Sequence, residues 1–245
     1  MFIYQNPMTV GDESHVVNDC SSYTPPLRST ASRKISLRSK GSLRGSFVLV
    51  DEGRECKIES FIEKSAALYL KTLPNLIQLD DQPPSVRFIH RDGRTGSHTF
   101  DFLAHFTDGR RIFIAVKDED HALRHDIAGF LQHIAPQIPK NVADGVTLYT
   151  EKTLSPAMKS NARLIQCVRR DPPHPADQAV LDLIQHIQGQ VRIGDIVSAS
   201  GHGNNGFRAV ARLIARRVLL LLADEIISYG SLVTVDHRHT AEAAR

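Results

Sequence analysis

Cysteine is scarce in this chain, and long apolar runs are missing altogether. Three cysteines, Cys20, Cys56 and Cys167, stand far apart in 245 residues. An odd, scattered set argues against a disulfide framework and offers no paired ligands for a structural zinc. It fits a reducing cytoplasm, which is the compartment expected here. The longest apolar run, Val218 to Ala223, is strand length, far below the roughly 18–20 residues of a membrane span. No charged leader followed by an apolar block opens the chain, so secretion is not expected. Internal repeats, a Gly-x-Ser-x-Gly elbow and the Lys-Ser/Thr of a P-loop are also absent. Their absence sets aside the hydrolase and phosphate-loop chemistries that those motifs carry.

What is present reads as one to two compact units. The hydrophobic fraction is 41% and the charged fraction 23%, ordinary for a globular protein able to bury a sizeable core. The net charge is +3, and all of the excess lies in residues 1–44, which hold three acids and six bases. That arm is rich in Ser, Thr, Arg and Lys and poor in large apolar residues, so it is expected to be flexible. It reads either as a DNA-binding arm, with Arg33, Lys34, Arg38 and Lys40 toward phosphate, or as a solvating tail.

Beyond the arm the order is a domain over 45–170, a stiff linker Asp171-Pro172-Pro173-His174-Pro175, a smaller unit over 176–236 and a frayed tail from His237. In the larger domain, a strand is expected from Gly45 to Val50 and a helix from Ile58 to Leu70. Strands over Val86–His90, Thr99–Phe106 and Arg111–Val116 form a meander with turns at Asp92-Gly93 and Asp108-Gly109. A helix from Glu119 to Ala135, a strand from Gly145 to Thr150 and a helix from Pro156 to Val168 complete an α/β fold with a mixed sheet.

Charged residues recur within this pattern at informative places. Glu63 falls in the first helix, Asp101 within His98-Thr99-Phe100-Asp101-Phe102, and Lys117 at the end of Ile112-Phe113-Ile114-Ala115-Val116. Asp and Lys on a hairpin are ordinarily solvated edge residues. Here apolar neighbours surround both, and a charge in such a setting needs a partner or a task. Two carboxylates suit Mg²⁺ (or Mn²⁺), and a nearby lysine can orient a metal-activated water.

The ordered set Glu59-Ser60-Phe61-Ile62-Glu63, Gln82-Pro83, Thr99-Phe100-Asp101-Phe102, Asp108-Gly109, Ala115-Val116-Lys117 and Asn161-Ala162-Arg163-Leu164 resembles the TnsA-type transposon endonucleases. These belong to the PD-(D/E)xK nuclease superfamily. The resemblance covers roughly residues 45–170 and implies a restriction-endonuclease-like core. It implies Glu63 and Asp101 as metal ligands, Lys117 as the catalytic lysine, Gln82 near the site, and the Val116 carbonyl as a further ligand. The implied partners are double-stranded DNA at transposon ends, a DDE-type transposase subunit and a transposition ATPase. The chain departs from the pattern at Phe100, where the family has proline, and at Ala115, where it has Glu or Gln. Ala115 leaves three readings open: a weak but active site, a natural loss of cleavage, or an inactivating substitution. An inactive DNA-binding scaffold of a transposition complex is therefore the alternative function, and a restriction-type nuclease acting without such partners a third.

In the smaller unit, helices are expected over Gln178–Gln188, Arg192–Ser200 and Phe207–Arg217, then a hairpin from Val218–Leu222 to Ile226–Val235. Three helices and a hairpin make a winged helix-turn-helix. Arg208, Arg212 and Arg216 recur every four residues on its third helix, either as a DNA-reading face or as a merely exposed one. His121 and His125 have zinc-ligand spacing but no third ligand in evidence.

Overall fold

A computed structural model describes residues 24–33 and 43–236. Over them the chain is mixed α/β. The central sheet has four strands in the order β3 (Leu76–Asp81), β6 (Phe102–Phe106), β7 (Arg111–Val116) and β8 (Gly145–Tyr149). The β3, β6 and β7 pairings are antiparallel and β7 runs parallel to β8, so the sheet is mixed as expected.

Two apolar layers cover it. On one face, α1 (Phe61–Leu70) and the hairpin β1 (Gly45–Leu49) and β2 (Arg54–Ile58) bury Ala66, Ala67 and Leu70 against Leu79, Phe102 and Ile114. On the other, α3 (Ile127–Ile134) and the separate ribbon β4 (Val86–Ile89) and β5 (Thr95–His98) close over Phe100, Phe113 and Ala115. A third core gathers α5 (Pro175–Ile184), α6 (Ile193–Ser200) and α7 (Gly203–Ala215) over an antiparallel sheet, β10 (Leu219–Leu221), β11 (Leu232–Val235) and β9 (Gln190–Arg192).

Several expectations are corrected. Only part of the expected meander forms: β6 pairs with β7 as expected but with β3 on its other side, and among the described residues β4 pairs with β5 alone. A register shift at Leu76–Gln78 breaks the alternation that would have marked β3 as a strand. The expected helix from Ile58 begins only at Phe61, because Ser60 caps it by accepting the Glu63 N–H at 3.1 Å. The expected 119–135 helix is two helices, α2 (Glu119–Arg124) and α3, broken at Asp126. Asp126 sits at φ 45° and caps α3 by accepting the Gly129 N–H, a conformation that Asp tolerates better than most residues.

The segment expected as a stiff linker runs directly into a helix. His174 and Asp177 form a capping box and Pro175 takes the first helical position, so α5 starts within the proline segment. Ahead of it, α4 (Pro156–Val168) contacts both units. Its Asn161 donates to the Glu225 carbonyl and accepts from the Ile227 N–H, both at 2.9 Å, while Leu164 packs on the third core.

The described part of the arm is docked. Leu27 bridges Arg54, Ser29 and Thr30 bond the Asp81 carboxylate, and Ser32 bonds the Gln82 carbonyl through its N–H and its hydroxyl. Composition hides this, because the contacts are polar and long-range. Lys34, Arg38 and Lys40, and the 237–245 tail, lie outside the described residues.

Candidate active site

Asp101 stands at the mouth of β6 rather than inside the strand, with Phe102 the first strand residue. One step beyond the last register pairs, it lies between Gln82 on the β3 side and Ala115 on the β7 side. Its N–H donates to the Ile114 carbonyl at 3.0 Å, and its carbonyl accepts the Gln82 N–H at 2.9 Å. Asp101 Oδ2 accepts the Val116 N–H at 2.6 Å and faces Lys117 Nζ at 3.4 Å. Among the described residues Oδ1 has no hydrogen-bond partner. Val116 therefore meets Asp101 through its N–H.

Glu63 reaches the same place from the first turn of α1 and is buried. Its carboxylate accepts the Glu59 N–H at 2.7 Å and the Ser60 hydroxyl at 3.0 Å. Those bonds make it a helix cap, the purely structural role. A carboxylate has about four lone-pair sites, so two remain. Burial pushes the Glu63 pKa up to about 7, and the negative charge of Asp101 adds to the rise; the two bonds and Lys117 oppose it. The sequence thus brings Glu63, Asp101 and Lys117 into one electrostatic group.

Gln82 adjoins Asp101 through the backbone, its N–H on the Asp101 carbonyl. Its side chain is 1% exposed, and neither Nε2 nor Oε1 has a partner. Sequence reading missed His98, at the end of β5. Its Nε2 is buried without a partner, and its ring meets Phe100 and Phe130 edge-on. Burial, then the Lys117 charge, lowers its pKa, so the imidazole is held neutral beside the site. The signal was its place three residues before Asp101.

The donor set fits a hard divalent cation, with two carboxylates and one unpartnered buried amide. No group of three or more His, Cys, Asp or Glu that could hold a metal ion gathers among the described residues, here or elsewhere. His121 and His125 lie ring against ring, centroids 4.4 Å apart and planes tilted by 41°, without a third ligand among the described residues. Ala115 is 1% exposed within the apolar layer of Phe100, Phe113 and Leu131. Position 115 is therefore packed with hydrocarbon.

The arginines expected to face DNA are placed differently from one another. Arg208 forks onto Asp171 at 2.6 Å, and Arg212 bridges Asp171 at 2.7 Å and Asp177 at 2.5 Å. The Arg208 hydrogen bonds hold the Asp171 carboxyl below its usual range. Two of the three guanidiniums thus clamp α7 to the proline segment, while Arg216 stays exposed beside them. Arg33 pairs with Glu59 at 2.8 Å, next to the Glu63 cap. By contrast, the exposed Arg87 and Arg91 on the β4–β5 ribbon carry no ion pair among the described residues.

No family model matches the sequence, and no curated protein matches it. No helix among the described residues is long and apolar enough to cross a membrane.

Proposed function

We propose that this chain is a Mg²⁺-dependent DNA endonuclease of TnsA type. In this reading the 45–170 domain is a restriction-endonuclease-like core and the 176–236 unit a winged helix-turn-helix. It would cut at transposon ends with a transposase subunit and a transposition ATPase. The observation that carries the reading is the convergence of Glu63, Asp101 and Lys117 at one end of the sheet. Glu63 and Asp101 would hold the cation. Bound there, a divalent cation polarises the scissile phosphate and acidifies a coordinated water. Lys117 supplies a positive charge beside Asp101 that can orient the attacking oxygen and offset charge building on the phosphate. The Val116 N–H fixes the Asp101 carboxylate from behind.

The test is nicking of transposon-end DNA under Mg²⁺ or Mn²⁺ with the partner proteins present. Asp101→Ala and Lys117→Ala are expected to abolish it. Cleavage that survives Asp101→Ala would remove this site from the reaction. A second reading, a catalytically silent DNA-binding scaffold, draws on the packing of Ala115 in hydrocarbon. It predicts binding without nicking under either metal.

DNA would lie against the β4–β5 ribbon, which springs from the chain between Gln82 and Asp101 and exposes Arg87 and Arg91. Each of Arg87→Ala and Arg91→Ala should weaken binding and reduce the log-salt slope by about one. Arg208→Ala and Arg212→Ala should leave the slope unchanged and lower the melting temperature instead, because they clamp the molecule internally. Salt titrations of the four variants separate the two faces, and the reverse pattern would return DNA binding to α7.

A further inference from the structure

Gln82 combines three features, each costly by itself. It is a non-glycine residue at φ 42°, in the left-handed region, and a proline follows it. Residues held there are strained and persist only where their surroundings impose them. Those surroundings are visible. The Gln82 N–H donates to the Asp101 carbonyl, and its own carbonyl accepts both the N–H and the hydroxyl of Ser32. The side chain is 1% exposed, with both ends of the amide unpartnered. Leaving such a group unsatisfied is destabilising, and no hydrogen bond within the described chain relieves it. Three backbone hydrogen bonds thus fix a strained residue whose amide serves no partner in the fold.

Its position says what that amide is for. In the row Gln82, Asp101, Ala115 across the sheet end, Asp101 has a neighbour on each side. On the β7 side the neighbour is a methyl group sealed among Phe100, Phe113 and Leu131. On the β3 side it is an amide with an unused oxygen. We infer that Gln82 supplies the third protein oxygen to the divalent cation held by Glu63 and Asp101, replacing the ligand that Ala115 does not provide. The inference rests on the nuclease reading for the existence of the cation. A neutral amide adds an oxygen without a third negative charge beside Glu63 and Asp101. Waters complete the octahedron that such a cation demands.

The experiment is Mn²⁺ binding to the full chain, read by loss of the free-ion electron paramagnetic resonance signal, without DNA or turnover. Gln82→Met keeps the volume and removes the oxygen; Gln82→Glu keeps the oxygen and adds charge. Losing a partner behind a ligand already weakens metal binding about tenfold or more, and Gln82→Met should lose at least that much. Gln82→Glu should bind more tightly than wild type, and Asp101→Ala should not bind. Without metal, Gln82→Met should melt no lower than wild type, since no hydrogen bond is lost. Wild-type affinity in Gln82→Met, together with loss in Asp101→Ala, would overturn the role of Gln82 and leave the nuclease reading standing. If wild type bound no better than Asp101→Ala, that reading would fall first and this inference with it.

Discussion

At pH 8, Glu63→Gln is expected to be more stable than wild type. Burial and Asp101 raise the Glu63 pKa from 4.5 to about 7. Between those values the folded chain holds a proton that the unfolded chain has released, so stability falls as pH rises through the window. Above pH 7 the charged carboxylate costs the fold about 3 kcal/mol. Glutamine removes that charge but gives up one of the two accepted hydrogen bonds, at about 1 kcal/mol. The net gain at pH 8 is about 2 kcal/mol, and it turns into a loss of about 1 kcal/mol below pH 4.5. Urea unfolding of both proteins from pH 5 to 8 checks it, and parallel stability curves would sink it. A bound cation favours the charged form, so Mn²⁺ should stabilise wild type more at pH 8 than at pH 6.

Asp81→Ala should be the most damaging single change at a polar position. Asp81 is fully buried and accepts from the Ser29 hydroxyl, the Thr30 N–H and hydroxyl, the Arg54 guanidinium and the Lys57 N–H. Removing one partner of a buried ion pair costs about 3–5 kcal/mol, because the other charge is left uncompensated. Arg54 keeps Glu52 at 2.6 Å, which favours the lower end, about 3 kcal/mol. Residues 27–32 should also become cleavable by protease, since their anchor is gone. A loss below about 1 kcal/mol, within the range of ordinary substitutions, would show that the network is not the anchor.

The sequence made the larger periodicities legible. The 156–168 helix matches its expected span, and five expected strands lie within a residue of their observed ends. Reading fails where polar residues do structural work. Asp80 and Asp81 lie in β3, and charged residues argue against a strand until their partners are known. The break at Asp126 escapes notice because the apolar pattern runs straight through it. For the candidate site, the residue types were legible but their company was not. Glu63 could be picked out, whereas its double duty as a helix cap depends on Glu59 and Ser60 meeting it in space. The arginine row on α7 was equally visible, but the acids that occupy it, Asp171 and Asp177, come from the preceding segment.

That segment and α4 bear on how the molecule could be divided. Prolines invite a cut at 171–175, yet the chain is riveted there by Arg208 and Arg212. Asn161 holds the loop before β11 from well upstream of the prolines. A piece excised at Pro175 would leave behind Asn161, Leu164 and Asp171, and with them part of its own wall. The portable part of this protein therefore begins with the cap of α4 at Ser155, and any graft or exchange between relatives would need to carry that helix along.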